Sequence, residues 1–170
     1  MDVKEAIATL EKSSEFLDWK KTHEHCYLVH CFLMLDIGTE LDEAEWQIGY
    51  YDKDIDKVTT FVIGKKITKN PESEAFKEEH KTINELKKQD IQQRADKILY
   101  KLQEFIEEKY PNQPIAKRIL LLQNLDEYGP VWNITIVTSS FNTLSVKIDP
   151  KTADIIEHHL SSLFDLRKQG

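Results

Sequence analysis

Trp132–Ile148 reads WNITIVTSSFNTLSVKI, two runs of alternating residues on either side of a short polar turn. Trp132, Ile134 and Ile136 recur at every second position, as do Leu144, Val146 and Ile148. A period of two built from aromatic and branched residues predicts a β-hairpin with one apolar face. Trp46–Val62 echoes the pattern, with Trp46, Ile48 and Tyr50 before a polar turn at Asp52–Asp56 and Val58, Thr60 and Val62 after it. A tryptophan opens both hairpins, which points to duplication rather than to the alternation any two hairpins share.

The surroundings extend the parallel. An apolar stripe at helical spacing (Val3, Ala6, Ile7, Leu10, Leu17) predicts a helix over residues 2–20, capped by Asp2 and weakened at Ser13-Ser14. A second helix is expected from Asp90, with Gln93 in the capping-box position, to Lys109. Tyr27–Asp36 and Ile115–Gln123 read as the strands that precede each hairpin. Each half is therefore helix, strand, strand, strand. The expected domains are a first unit at 1–66, a charged surface connector at 67–89, and a second unit at 90–170. The connector has few anchors, Phe76, Ile83 and Leu86 among them. Ile155, Ile156, Leu160, Leu163 and Phe164 suggest a C-terminal helix closing the second unit. A meander with one apolar face must bury it, and a helix from its own half is the nearest cover. The fold class is α+β, and the sequence leaves open whether the two sheets join edge to edge or pack face to face.

The helix-plus-three-strand unit resembles the PepSY type of cystatin-like domain. In that family a tryptophan opens the second strand, and the third ends in an Asp-x-x-Thr-Gly turn. Val131-Trp132-Asn133-Ile134 and Val146-Lys147-Ile148-Asp149-Pro150-Lys151-Thr152 carry the likeness, with Ala153 where the family has glycine. The second half matches better than the first. The resemblance implies a non-catalytic binding or inhibitory module, often one that restrains a peptidase, and supplies no catalytic residues.

Composition narrows the function classes. The formal charge of -7 is spread along the chain, which disfavours nucleic acid and anionic membranes as partners. No apolar run approaches the length of a spanning helix, and the N-terminus has no apolar block of the secretory kind, so a cytoplasmic location is expected. Only 5 Gly make a phosphate-cradling loop hard to build. No P-loop, dinucleotide fingerprint, nucleophile elbow or His-Glu-x-x-His helix is present. Asp52, Asp54 and Asp56 lack the companions of an EF-hand loop.

Two groups of residues remain candidates. His23, His25, Cys26 and His30 are the nearest approach to a metal set, but no Cys-x-x-Cys pair supports them, and no cofactor is expected. Strict alternation puts Cys26 and His30 on the face opposite Cys31. Trp46, Tyr50, Tyr128 and Trp132 could form a recognition surface if they projected from the sheet, although packing of each indole on its own helix is the more ordinary arrangement. The expected activity is contact with a protein or peptide partner, or with a second copy of the chain. The alternative is a small enzyme or ligand-binding protein using a cavity between helix and sheet.

Overall fold

The computed structural model describes residues 1–75 and 83–162. Asp2 caps helix α1 (Val3–Glu11) in a capping box with Glu5, and Val3, Ala6, Ile7 and Leu10 form its buried face. The chain breaks at the serine pair. Ser13 Oγ accepts the Phe16 N–H at 3.2 Å and caps a separate helix, α2 (Ser14–Lys20), which buries Phe16 and Trp19.

Among the described residues nine antiparallel strands follow: β1 (Cys26–Asp36), β2 (Trp46–Asp52), β3 (Lys57–Ile63), β4 (Ile67–Lys69), β5 (Ser73–Glu74), β6 (Ile115–Leu125), β7 (Gly129–Thr138), β8 (Asn142–Ile148) and β9 (Ile155–Ser162). Helix α3 (Ala95–Lys109) lies between β5 and β6. The strands make one sheet in the order β4-β3-β2-β1-β6-β7-β8-β9, with β5 also on β3. The two halves thus meet edge to edge along β1–β6, from His30↔Gln123 to Asp36↔Lys117.

The three α-helices of the described residues lie on one face. Their buried residues share a single core with Cys31, Leu33, Trp46, Ile48, Leu122, Trp132, Ile134 and Val146 of the sheet. Burying this continuous apolar face is the dominant favourable term, at roughly 25 cal/mol per Å².

Several expectations are corrected. The stretch from Ile155 to Ser162 is a strand, not the start of a C-terminal helix. It pairs with β8, satisfying the backbone edge that β8 would otherwise leave open. Ile155 and Leu160 pack against the core while Ile156 is 44% exposed, whereas a helix would have buried Ile156 with them. Leu163 and Phe164 lie outside the described residues. The connector is partly sheet: β4 and β5 extend β3, and Leu86 is fully buried with its N–H on the Leu28 carbonyl at 2.8 Å. Phe76 lies outside the described residues.

Helix α3 starts at Ala95, so Asp90 and Gln93 do not cap it. The Pro150 carbonyl takes the N–H groups of Gln92 and Gln93 and keeps that segment out of the helix. The first donor of α3, Ala95 N–H, goes instead to Asp2 Oδ1 at 2.8 Å, so one carboxylate serves the N-termini of two helices from opposite halves.

The hairpins also differ by one residue. Trp46 pairs with Ile63 and Trp132 with Ile148, so the first hairpin closes one residue later. The core-facing residues of β3 are therefore Thr59, Phe61 and Ile63, not Val58, Thr60 and Val62.

The turn after β8 carries a testable strain. Asp149 Oδ1 accepts the N–H groups of Lys151 and Thr152, and the Ala153 N–H returns to the Asp149 carbonyl at 2.9 Å. This closure puts Ala153 at φ 66, in the left-handed region where a Cβ is penalised. Ala153→Gly should raise stability by about 0.5–1 kcal/mol, the left-handed penalty outweighing the lost methyl contact. A lower urea midpoint in the variant would contradict this.

Candidate recognition surface

Antiparallel register fixes what the other face of the sheet presents. One transverse row runs Gln47–Phe32–Leu121–Asn133–Lys147, and the next runs Met34–Ile119–Thr135–Ser145. Phe32, Met34, Ile119 and Leu121 thus form a block of apolar side chains across the β1–β6 seam, bordered by Gln47 on one side and Asn133, Thr135 and Ser145 on the other. Met34 is 42% exposed, and Phe32, Ile119 and Leu121 are half-buried. Among the described residues no helix packs on this face. An apolar centre with a polar margin is the anatomy of a protein-binding patch.

One end of the same face is covered. Val29, Tyr51 and Val58 form a small second cluster with Tyr27, Ala75 and Ile83, and the Tyr27 hydroxyl donates to the Ile83 carbonyl at 2.8 Å. Next to it lies His30, across from Gly49. The imidazole occupies the space where a side chain on Gly49 would begin: an added Cβ would lie 2.1 Å from His30 Cε1. Burial there lowers the His30 pKa to about 4.

The aromatic residues expected to form a recognition surface do not form one. Trp46 and Trp132 are 1% and 0% exposed, with ring centroids 6.2 Å apart in the helix-side core. Equivalent positions in the two hairpins bring them to each other, because each points to the face the helices cover. Trp46 Nε1 donates to the Met1 carbonyl at 3.0 Å, while Trp132 Nε1 is buried without a partner. Tyr50 is buried on the same side and donates to Glu11 Oε1 at 3.0 Å, burial and then the Glu11 charge raising its pKa. Tyr128 lies apart from these three, its hydroxyl on Glu157 and Lys147 Nζ 4.9 Å from its ring centroid.

The four metal candidates are likewise dispersed. His23 stacks on Trp19 at 4.4 Å, with Nδ1 2.8 Å from the Trp19 carbonyl. His25 Nδ1 lies 2.6 Å from Asp54 Oδ2 at an exposed turn. Cys26 Sγ accepts from Lys20 Nζ at 3.2 Å. His30 is on the other face, because the register shift between Leu28 and His30 reverses the alternation. That shift also corrects the placing of the cysteines: Cys26 packs against the same core that contains Cys31, and both are free thiols. Among the described residues no three His, Cys, Asp or Glu side chains gather in a metal-binding group.

A cleft of about 440 Å³ opens between α2, the start of β1 and residues 85–89. Lys20, Cys26, Tyr50, Glu11 and Lys88 line it, and Lys88 pairs with Glu11 at 2.7 Å. Burial raises the Cys26 pKa despite the neighbouring ammonium, so the thiol is not primed as a nucleophile. Among the described residues no histidine lines it.

No protein-family model and no curated protein matches the chain. Among solved structures, the chain is similar to a protein described as a "putative lipoprotein" from Clostridium difficile 630. The TM-score is 0.52 and the identity 12%, over 86% of this chain and 90% of that one. A likeness at this identity defines the class by fold alone: an α+β protein, its helices packed against an antiparallel sheet. No described helix is long and apolar enough to cross a membrane.

Proposed function

We propose that the protein is a non-catalytic binding or inhibitory module that holds a protein or peptide partner on the open face of its sheet. The apolar block of Phe32, Met34, Ile119 and Leu121, set in a polar margin across the seam, carries this reading. The reading is that of two tandem PepSY-like units. It draws support from the paired tryptophans and from Ala153, whose φ of 66 is the conformation a glycine takes at the end of an Asp-x-x-Thr-Gly turn. Two free cysteines suit a reducing compartment, and we place the protein in the cytoplasm.

Site-specific photo-crosslinking tests the reading. A crosslinker at Met34 should capture a discrete partner from native lysate. The same group at Tyr100, which is 61% exposed on α3, should not. Equal capture from both positions, or capture from Tyr100 alone, overturns it.

A further inference from the structure

The end of the molecule where α3 runs out holds a second cleft, of about 290 Å³, on the opposite side of the sheet from the open face. Its floor is Ile106 of α3 and Ile115 of β6, and Pro111, Pro114 and Tyr110 wall it. Arg118 enters from β6. Register puts Arg118 on the helix side of the sheet, beside Leu35 and two positions from the buried Leu120. The sequence thus delivers a guanidinium to a position whose neighbours along the strand are core.

Arg118 is half-buried, and burial lowers its pKa, the Glu40 charge opposing this only as a lesser influence. Its Nη2 donates to Gln103 Oε1 at 3.0 Å, and the Gln103 amide donates in turn to Glu107 Oε1 at 2.8 Å. Glu107 is thereby held one amide away from the cation. Among the described residues Arg118 forms no ion pair, although Lys101, Lys117, Lys147 and Lys151 all do. A guanidinium offers five donors in a planar fork suited to a carboxylate, and this one spends a single hydrogen bond on a neutral amide. A half-dehydrated cation with no carboxylate in direct contact among the described residues is costly, and an anion with an apolar body would meet both the cation and the walls.

From this geometry we infer that the Arg118 cleft binds a small apolar carboxylate, which Arg118 grips in two-pronged fashion while Ile106, Tyr110 and the prolines take its hydrocarbon part. The cleft volume suits a single residue-sized group. The carboxylate can come from the C-terminal residue of a peptide or from a free branched or linear acid, and the chemistry of the grip is the same.

Titration of the full chain by amide-detected NMR separates the possibilities, with N-acetyl-leucine as the peptide-like probe and 4-methylpentanoate as the free acid. At least one should give saturable shifts confined to residues around Gln103, Tyr110 and Ile115. Preference for the first identifies a peptide terminus, and equal or tighter binding of the second identifies a free acid. Arg118→Gln should weaken that binding by at least about tenfold, the loss of a charge-assisted bidentate pair. On the wild-type chain N-acetyl-leucinamide, which keeps the shape and loses the charge, should not bind. Equal binding of the amide, unchanged affinity in the Arg118→Gln protein, or no saturable shift with either acid overturns the inference.

Discussion

Trp132→Ala is expected to destabilise the protein by about 3–5 kcal/mol, and Trp46→Ala by a similar amount. Both indoles are essentially inaccessible and lie 6.2 Å apart at 52°, so removing either leaves a large cavity beside the other. The loss is a substantial share of the 5–15 kcal/mol that holds an ordinary domain together. The two sites should not be additive. A tilted aromatic pair is worth about 0.5–1.5 kcal/mol beyond the area it buries, and a double-mutant cycle by urea denaturation should recover coupling of that size. Replacement by Phe should separate them. Trp46→Phe breaks the hydrogen bond to the Met1 carbonyl, whereas Trp132→Phe removes a buried N–H that has no acceptor. Trp46→Phe should therefore cost about 1 kcal/mol more. Near-zero coupling, or identical losses for the two Phe variants, would contradict this packing.

The second large effect depends on pH. His30 has its pKa lowered from 6.5 to about 4 by burial, so the folded protein holds it neutral where the unfolded chain would protonate it. Between those values the unfolded state binds more protons, and stability must fall as pH falls. The contribution is fully present above about pH 6.5 and is lost progressively toward pH 4, about 2–3 kcal/mol in all. His30→Phe keeps a flat ring over Gly49 and removes the titrating group, so its stability should be nearly level across that window. The carboxylates whose pKa values are lowered, Asp42, Glu104 and Glu157, lose their contributions at lower pH, below their ordinary values of 3.8 to 4.5. A wild-type protein equally stable at pH 4.5 and 7 would contradict the buried neutral state of His30.

The two tryptophans and His30 show what is legible in the chain. The alternation of Trp46–Tyr50 and Trp132–Ile136 was enough to define the hairpins and their apolar faces, because a period of two is a local property. That the two indoles meet was not legible, since it follows from edge pairing of β1 with β6, a long-range choice. His30 illustrates a different failure. A one-residue bulge after Leu28 reverses every later side chain of the strand, and nothing in CYLVHCFLMLD marks where it occurs. The same limit explains β9: Ile155, Ile156 and Leu160 suit a helix or a bulged strand, and the vacant edge of β8 decided between them. The start of α3 is not legible for a related reason, because the carboxylate that takes its first N–H, Asp2, comes from the far end of the sequence.

The open-face block escaped sequence reading as well. Phe32, Met34, Ile119 and Leu121 sit in runs that are apolar at nearly every position, so alternation could not say which members face the helices. Arg118 is legible in the sequence only as a cation interrupting such a run, and that no carboxylate among the described residues touches it is visible only in three dimensions.

The most direct test of the recognition face is the affinity of the partner captured from Met34, measured by titration calorimetry against the wild-type protein and Met34→Glu. A carboxylate placed beside Ile119 and Leu121 would be buried unpaired in the complex, while Met34 is exposed enough in the free protein for the fold to accept it. Affinity should fall by at least about 30-fold, the mark of a hot-spot position, with the urea midpoint little changed. Undiminished affinity in Met34→Glu would show that the partner binds elsewhere.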